Sequence, residues 1–261
     1  VGKSDSYILF SSGSGQYSVN SGLDRNSPGN NDGDVSRAEY MAHVEKKAGY
    51  DLGSSSLSSG KNVLVVGTST TAHGRYVDYL NDALGSQGYT FTAKGYSGCS
   101  TSAVNNRLRS GAMANNCLSS PSSVTGFDID DYDTLMVLSG LNDGLCSGTP
   151  TTTEGWLQEI YDYGESQGMK VIAITMTPAK SYFDGACSGG TAGGDNSVIY
   201  TVKVNDWITT GARHLDKIVD VYSVLNDGSG SLQSQYSSDG LHQSNTGQDK
   251  IGETIVSQAF S

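Results

Sequence analysis

Two short runs of uninterrupted apolar residues, Asn62–Val66 (Asn-Val-Leu-Val-Val) and Thr134–Leu138 (Thr-Leu-Met-Val-Leu), constrain this chain most. A run of that length with no polar alternation suits a strand buried on both faces, as in a parallel sheet covered by helices. The segments between and after them fit that reading. A helix is predicted from about Gly74 to Ser86, with Tyr76, Val77, Leu80 and Leu84 on one face. Further strands are predicted at Tyr89–Ala93, Lys170–Thr175 and Lys217–Val221, and further helices at Thr153–Gln167, Asn196–Thr210 and Thr246–Phe260. Five strands alternating with helices imply βαβ units, hence an α/β domain with one parallel five-stranded sheet.

Residues 1–60 have a different texture. They are polar and Gly/Ser-rich, with one helix predicted at Arg37 to Ala48 and a linker-like stretch at 54–60. The expected organisation is an N-terminal extension, residues 1–60, and a main α/β domain, residues 61–261.

Composition excludes some partners. The 16 Lys and Arg are outnumbered by 27 Asp and Glu, for a net charge of −11, and the basic residues do not cluster. A phosphate backbone or an anionic membrane surface needs the opposite balance. Apolar runs of membrane-spanning length are missing, and so is a signal peptide. Because the chain starts at Val1, a mature secreted form is expected, acting as a monomer. The four cysteines, Cys99, Cys117, Cys146 and Cys187, form no CxxC pair and lie in polar surroundings, which favours two disulfides over zinc or buried thiols. Of the three possible pairings, Cys99–Cys117 and Cys146–Cys187 are expected, since each would brace a loop at one edge of the sheet.

In a parallel sheet, binding groups gather beyond the carboxyl ends of the strands. Gly67-Thr68-Ser69-Thr70-Thr71 follows the first strand, Gly95-Tyr96-Ser97-Gly98 the second, and Ser139-Gly140-Leu141-Asn142-Asp143 the third. Asp239-Gly240-Leu241-His242 precedes the last helix. Singly, each is ordinary: a helix N-cap, two turns, a surface histidine. Jointly they supply a hydroxyl nucleophile (Ser69), a base (His242), a carboxylate to orient it (Asp239) and oxyanion donors (the Ser69 and Gly98 backbone and the Asn142 amide).

These pieces resemble the conserved blocks of the SGNH (GDSL-type) hydrolase superfamily over residues 61–261. Gly140-Leu141-Asn142-Asp143 matches its GxND and Asp239-Gly240-Leu241-His242 its DxxH. The resemblance implies a three-layer α/β/α sandwich, flavodoxin-like in its sheet, and ester hydrolysis without a cofactor. It also implies Ser69 as nucleophile, Gly98 and Asn142 in the oxyanion hole, His242 as base and Asp239 as its orienting group. Two positions depart: Thr68 stands where the family usually has Asp, and Gln243 where a Pro commonly follows the histidine.

His73 lies four residues beyond Ser69 and either lines the acyl pocket or faces solvent; His43 and His214 carry no motif. Tyr96, Leu141 and Asp143 adjoin the motifs and are expected to shape the pocket. In the N-terminal region, Asp24, Asn26, Asp32, Asp34 and Glu39 resemble an EF-hand calcium loop. Its spacing is good from Asp32 onward but interrupted by an insertion between Asn26 and Asn31. The competing reading is an Asx-rich turn with Ser36 and Glu39 as a capping box. Polar, acidic, Tyr-rich loops favour a secreted esterase acting on O-acyl groups, chiefly acetyl, of a carbohydrate. A short-chain acyl or aryl esterase or lipase is the alternative. From a different class comes a non-catalytic carbohydrate-binding module on a hydrolase frame.

Overall fold

The computed structural model describes residues 61–110, 129–144, 149–182, 195–237 and 239–261, and a short strand pair nearer the N-terminus. The chain divides into two units, Val1–Ser59 and Gly60–Ser261. In the first unit, β1 (Tyr17–Ser18) pairs antiparallel with β2 (Asp34–Val35). The helix expected at 37–48, the linker at 54–60 and the side chains of the proposed calcium loop lie outside the described residues.

The second unit holds a five-stranded sheet of β3 (Lys61–Gly67), β4 (Tyr89–Gly95), β5 (Thr134–Leu138), β6 (Lys170–Ile174) and β7 (Lys217–Val219). Their spatial order is β4-β3-β5-β6-β7, and every neighbouring pair is parallel. The chain winds one way from β3 to β4, then crosses back to β5, so the topological switch point falls between β3 and β5.

The apolar runs are strands because both of their faces are covered. Leu64, Val66, Leu135, Val137, Val171 and Ala173 point into one core, with Val104 and Leu108 of α3 (Thr101–Ser110), Leu157 and Ile160 of α4 (Pro150–Ser166) and Val204 and Ile208 of α5 (Asp195–Thr210). Val63, Val65, Met136, Ile172 and Ile174 point into the other. There they meet Val77 and Leu80 of α2 (Arg75–Leu84), Val221 and Leu225 of α6 (Val221–Leu225), and Ile251 and Ile255 of α7 (Asn245–Ala259). The result is an α/β/α sandwich, as expected.

Several boundaries differ from the sequence reading. A five-residue helix, α1 (Ser69–His73), precedes α2, and Gly74 separates the two at a left-handed φ of 80°. α4 begins at Pro150, earlier than expected, because Thr149 caps it by accepting from the Thr152 N–H. Val221, expected to end a strand, opens α6 instead, because the Asp220 carboxylate accepts from the Ser223 N–H and starts a helical turn. α3 was not anticipated at all. Among the described residues, no helix is long and apolar enough to cross a membrane.

Candidate active site

Three of the four motifs lie where a strand ends, and the fourth, Asp239–His242, lies just before α7. Ser69 is the first residue of α1, two positions past β3. Thr68, not Ser69, is the N-cap, and it makes no side-chain cap bond. The turn is tight: a Cβ on Gly67 would collide with the Thr71 side chain and the Leu138 carbonyl, so only glycine allows α1 to fold back so closely over the sheet edge. Ser69 itself is partly exposed, whereas Thr70 and Thr71 are buried beneath it.

The loops are bonded to one another. The Tyr96 N–H donates to the Gly67 carbonyl at 3.0 Å, joining the Ser69 and Gly98 loops. The Asn142 amide donates from Nδ2 to the Cys99 carbonyl at 2.9 Å, joining the Gly98 and Asn142 loops. An amide nitrogen has two protons, so this bond fixes the direction of the other. Thr70 Oγ1 donates to Gln243 Oε1 at 3.0 Å, joining the Ser69 loop to the residue after His242. Leu141, Ala179, Tyr182 and Leu241 form a small apolar cluster that packs the Asn142 and His242 loops together. Ser69, Gly98, Asn142, Asp239 and His242 thus belong to one connected edge of the sheet.

The histidine loop is organised around one carboxylate. Asp239 Oδ2 bonds His242 Nδ1 at 2.8 Å. Asp239 Oδ1 accepts from the Leu241 N–H at 2.9 Å and the His242 N–H at 2.7 Å. Ser237 Oγ donates to the His242 carbonyl at 2.7 Å. Gly240, at φ 79°, turns the chain so that residues 239 and 242 share a side. Partial burial pushes the Asp239 carboxyl up, but the bonds from the His242 ring and the two N–H groups outweigh it and hold the group at about 2. Asp239 is therefore ionised across the working range, and its charge makes Nδ1 the protonated nitrogen of a neutral His242. The lone pair is left on Nε2, which a general base requires. Both side chains are about half exposed, at 50% for His242 and 47% for Asp239.

Some neighbours do something other than line a pocket. Asp143 turns toward α3, accepting from the Thr101 N–H at 2.8 Å and the Thr101 hydroxyl at 2.7 Å. Burial pushes its carboxyl up, against the pull of those Thr101 bonds. Asp143 thereby caps α3 from another loop. Tyr96 is buried beneath the guanidinium of Arg107, 4.5 Å from its ring centre. His73 is exposed at the end of α1, and His214 sits 3.5 Å from Glu165, apart from the motifs. Cys99 is buried and held in a disulfide, while Cys117, Cys146 and Cys187 lie outside the described residues. Among the described residues, no group of His, Cys, Asp or Glu could hold a metal ion. Asp24, Asn26, Asp32 and Glu39 lie outside them, as does the Asp34 side chain. The sequence reading noted Gln243 only as a departure from proline and missed Gln248 and Thr177; all three are buried polar residues whose bonds appear only once the loops are in place.

A parallel α/β/α sheet with a serine turn, a carboxylate-held histidine and an oriented amide at its carboxyl edge fits an ester hydrolase. The sequence profile of the GDSL-like lipase/acylhydrolase family matches residues 55–250, and the chain belongs to that family. Solved structures share the fold. A GDSL-like lipase from Bacteroides thetaiotaomicron aligns at 18% identity and a TM-score of 0.55, covering 84% of this chain and 96% of that one. The lipase/acylhydrolase from Enterococcus faecalis aligns at 20% identity and a TM-score of 0.55, covering 76% and 94%. An acetyl xylan esterase aligns at 16% identity and a TM-score of 0.51, covering 75% and 98%. No curated protein matches the chain by sequence.

Proposed function

We propose that the protein hydrolyses O-acyl esters, chiefly acetyl, on a carbohydrate, through Ser69, His242 and Asp239. The observation that carries the catalytic part is the 2.8 Å bond between Asp239 and His242 Nδ1, in a loop bonded to the Ser69 turn. His242 Nε2 takes the Ser69 hydroxyl proton as Oγ attacks the ester carbonyl. The resulting oxyanion is met by the backbone N–H groups of Ser69 and Gly98 and the second N–H of Asn142. Collapse expels the alcohol, protonated by His242, and leaves an acyl-serine. Water, deprotonated by the same histidine, then attacks the acyl carbon, and Ser69 Oγ leaves with that proton returned from His242 as the acid is released.

The carbohydrate assignment rests on the surroundings of the base loop. A groove of about 650 Å³ is lined by Ser181, Asn226, Asp227, Gln233 and Gln235, with Leu232 the one apolar member. Ser181 abuts Gly240, between Asp239 and Leu241, so the groove adjoins the base loop. Its amides and hydroxyls suit a polyhydroxylated alcohol better than an acyl chain. Secretion, a monomeric state, the pairings Cys99–Cys117 and Cys146–Cys187, and a structural calcium ion at Asp24, Asn26, Asp32, Asp34 and Glu39 complete the reading.

The test is turnover of p-nitrophenyl acetate, then of acetylated polysaccharides against long-chain acyl esters. Acetate release from the polysaccharide, abolished in Ser69→Ala, is the expected result. Preference for long acyl chains would overturn the carbohydrate assignment, and turnover by Ser69→Ala would overturn the catalytic one.

A further inference from the structure

Two buried glutamines of the C-terminal segment hold the residue next to Ser69. Gln243, 3% exposed, directly follows His242, and its Oε1 accepts from the Thr70 hydroxyl at 3.0 Å. Its Nε2 donates to the Leu241 carbonyl and to Thr177 Oγ1, each at 3.1 Å. Gln248, 1% exposed, lies one turn into α7, and its Nε2 donates to the Thr70 carbonyl at 3.2 Å. Its Oε1 accepts from the Tyr76 N–H at 3.2 Å, at the start of α2. Thr70 is thus gripped at both its side chain and its backbone, by residues one and six positions beyond the histidine.

We propose that Gln243, supported by Gln248, is a positioning residue that sets the distance and direction between Ser69 and His242. This rests on the catalytic reading of those two residues. Burying a primary amide is unfavourable unless its donors and acceptor are satisfied, and in both glutamines the oxygen and the nitrogen are bonded. What Gln243 bonds to is informative: the nucleophile turn, the base loop and the loop beyond β6. Proline at this position would offer neither a side-chain donor nor an acceptor, so the link belongs to the residue this chain carries. Proton transfer from Ser69 to His242 depends steeply on their separation, and a misplacement of about 1 Å can cost on the order of 10²-fold in rate. A clamp one bond away from each reacting residue controls that separation without touching substrate.

The experiment uses the intact protein and p-nitrophenyl acetate. Gln243→Leu keeps the bulk and removes the polar atoms; Thr70→Val removes only the hydroxyl; Thr70→Ser keeps it. Expected are a fall in kcat of about tenfold or more for Gln243→Leu and for Thr70→Val, with KM within about twofold, since substrate contacts are intact. The double variant should be no slower than the slower single one, because both break the same link. Thr70→Ser should recover the activity. Labelling of Ser69 by a fluorophosphonate should slow in parallel with kcat, with each variant's melting temperature confirming a folded sample. Wild-type kcat in folded Thr70→Val, or losses that multiply in the double variant, would overturn the proposal. If Gln243→Leu does not fold, Thr70→Val and Thr70→Ser decide it alone. Ser69→Ala runs alongside. If it is inert while the clamp variants are unimpaired, the clamp fails and the catalytic reading stands; if it turns over, both fall.

Discussion

The loop carrying the proposed base, His242, and the turn carrying the proposed nucleophile, Ser69, are built in opposite ways. Between Ser237 and His242 the bonds link residues two, three or five apart: Ser237 to Asp239, Asp239 to Leu241 and His242, Ser237 to His242. The Ser69 turn is held through Thr70 by partners 173 and 178 residues away in sequence. The first orients a histidine by local chemistry alone. The second places a hydroxyl only after the whole sheet has closed. A loop of the first kind tolerates changes elsewhere in the fold, whereas a turn of the second kind inherits every shift in the C-terminal helix.

Substitutions that remove reacting atoms have the largest expected effect and act equally on both regions. Ser69→Ala and His242→Ala should each abolish turnover of an activated ester, a loss of at least about 10³-fold in kcat. Next comes Asn142→Ala, which leaves the base loop intact. It should lower kcat on the order of 10²-fold, or about 3 kcal/mol of transition-state stabilisation, with little change in KM.

Asp239→Asn breaks the local loop while sparing the Ser69 turn, so it sharpens the contrast. It should leave more residual activity than Ser69→Ala or His242→Ala. Stability depends on this carboxylate as well. Asp239 has a folded value of about 2 against an ordinary 3.8, so its contribution is present above about pH 4 and lost as pH falls toward 2. With the side chain 47% exposed, solvent screening limits that contribution to below about 1 kcal/mol. Melting curves at pH 2 and pH 5 should therefore converge for wild type and Asp239→Asn at the lower pH. A difference that grows on acidification would contradict the assignment.

The smallest effect is expected from the N-terminal region. Five oxygen-bearing side chains within sixteen residues, Asp24 to Glu39, repel one another unless a cation neutralises them. EDTA should lower the melting temperature by about a few degrees, and Asp32→Ala should remove that sensitivity without changing kcat. An unchanged melting curve, with no metal by elemental analysis, would leave an Asx-rich turn and a capped helix.

What could be read in advance follows the same division. Thr134–Leu138 declared itself a strand because its two faces are filled by different helices, and an uninterrupted apolar run is the only pattern that serves both. The Gly140–Asp143 and Asp239–His242 motifs were legible because their function demands fixed residue types at fixed short spacing. α3 was not legible. Its apolar face is no more than Ala103, Val104 and Leu108, and its first turn is capped by Asp143, a residue 42 positions away. Asp143 itself, expected to shape the pocket, is committed to that cap.

The sequence by itself determined the α/β class and the parallel strands, since these depend on local apolar runs, and it supplied the motifs from which the proposed reacting groups are read. Tertiary structure alone decided how Ser69 is placed relative to His242. Gln243 and Gln248 carry no sign of burial in the sequence, standing among polar residues around the start of the terminal helix. They became buried ties to Thr70 only when α7 packed against α2 and brought amides, hydroxyl and carbonyl within hydrogen-bonding distance.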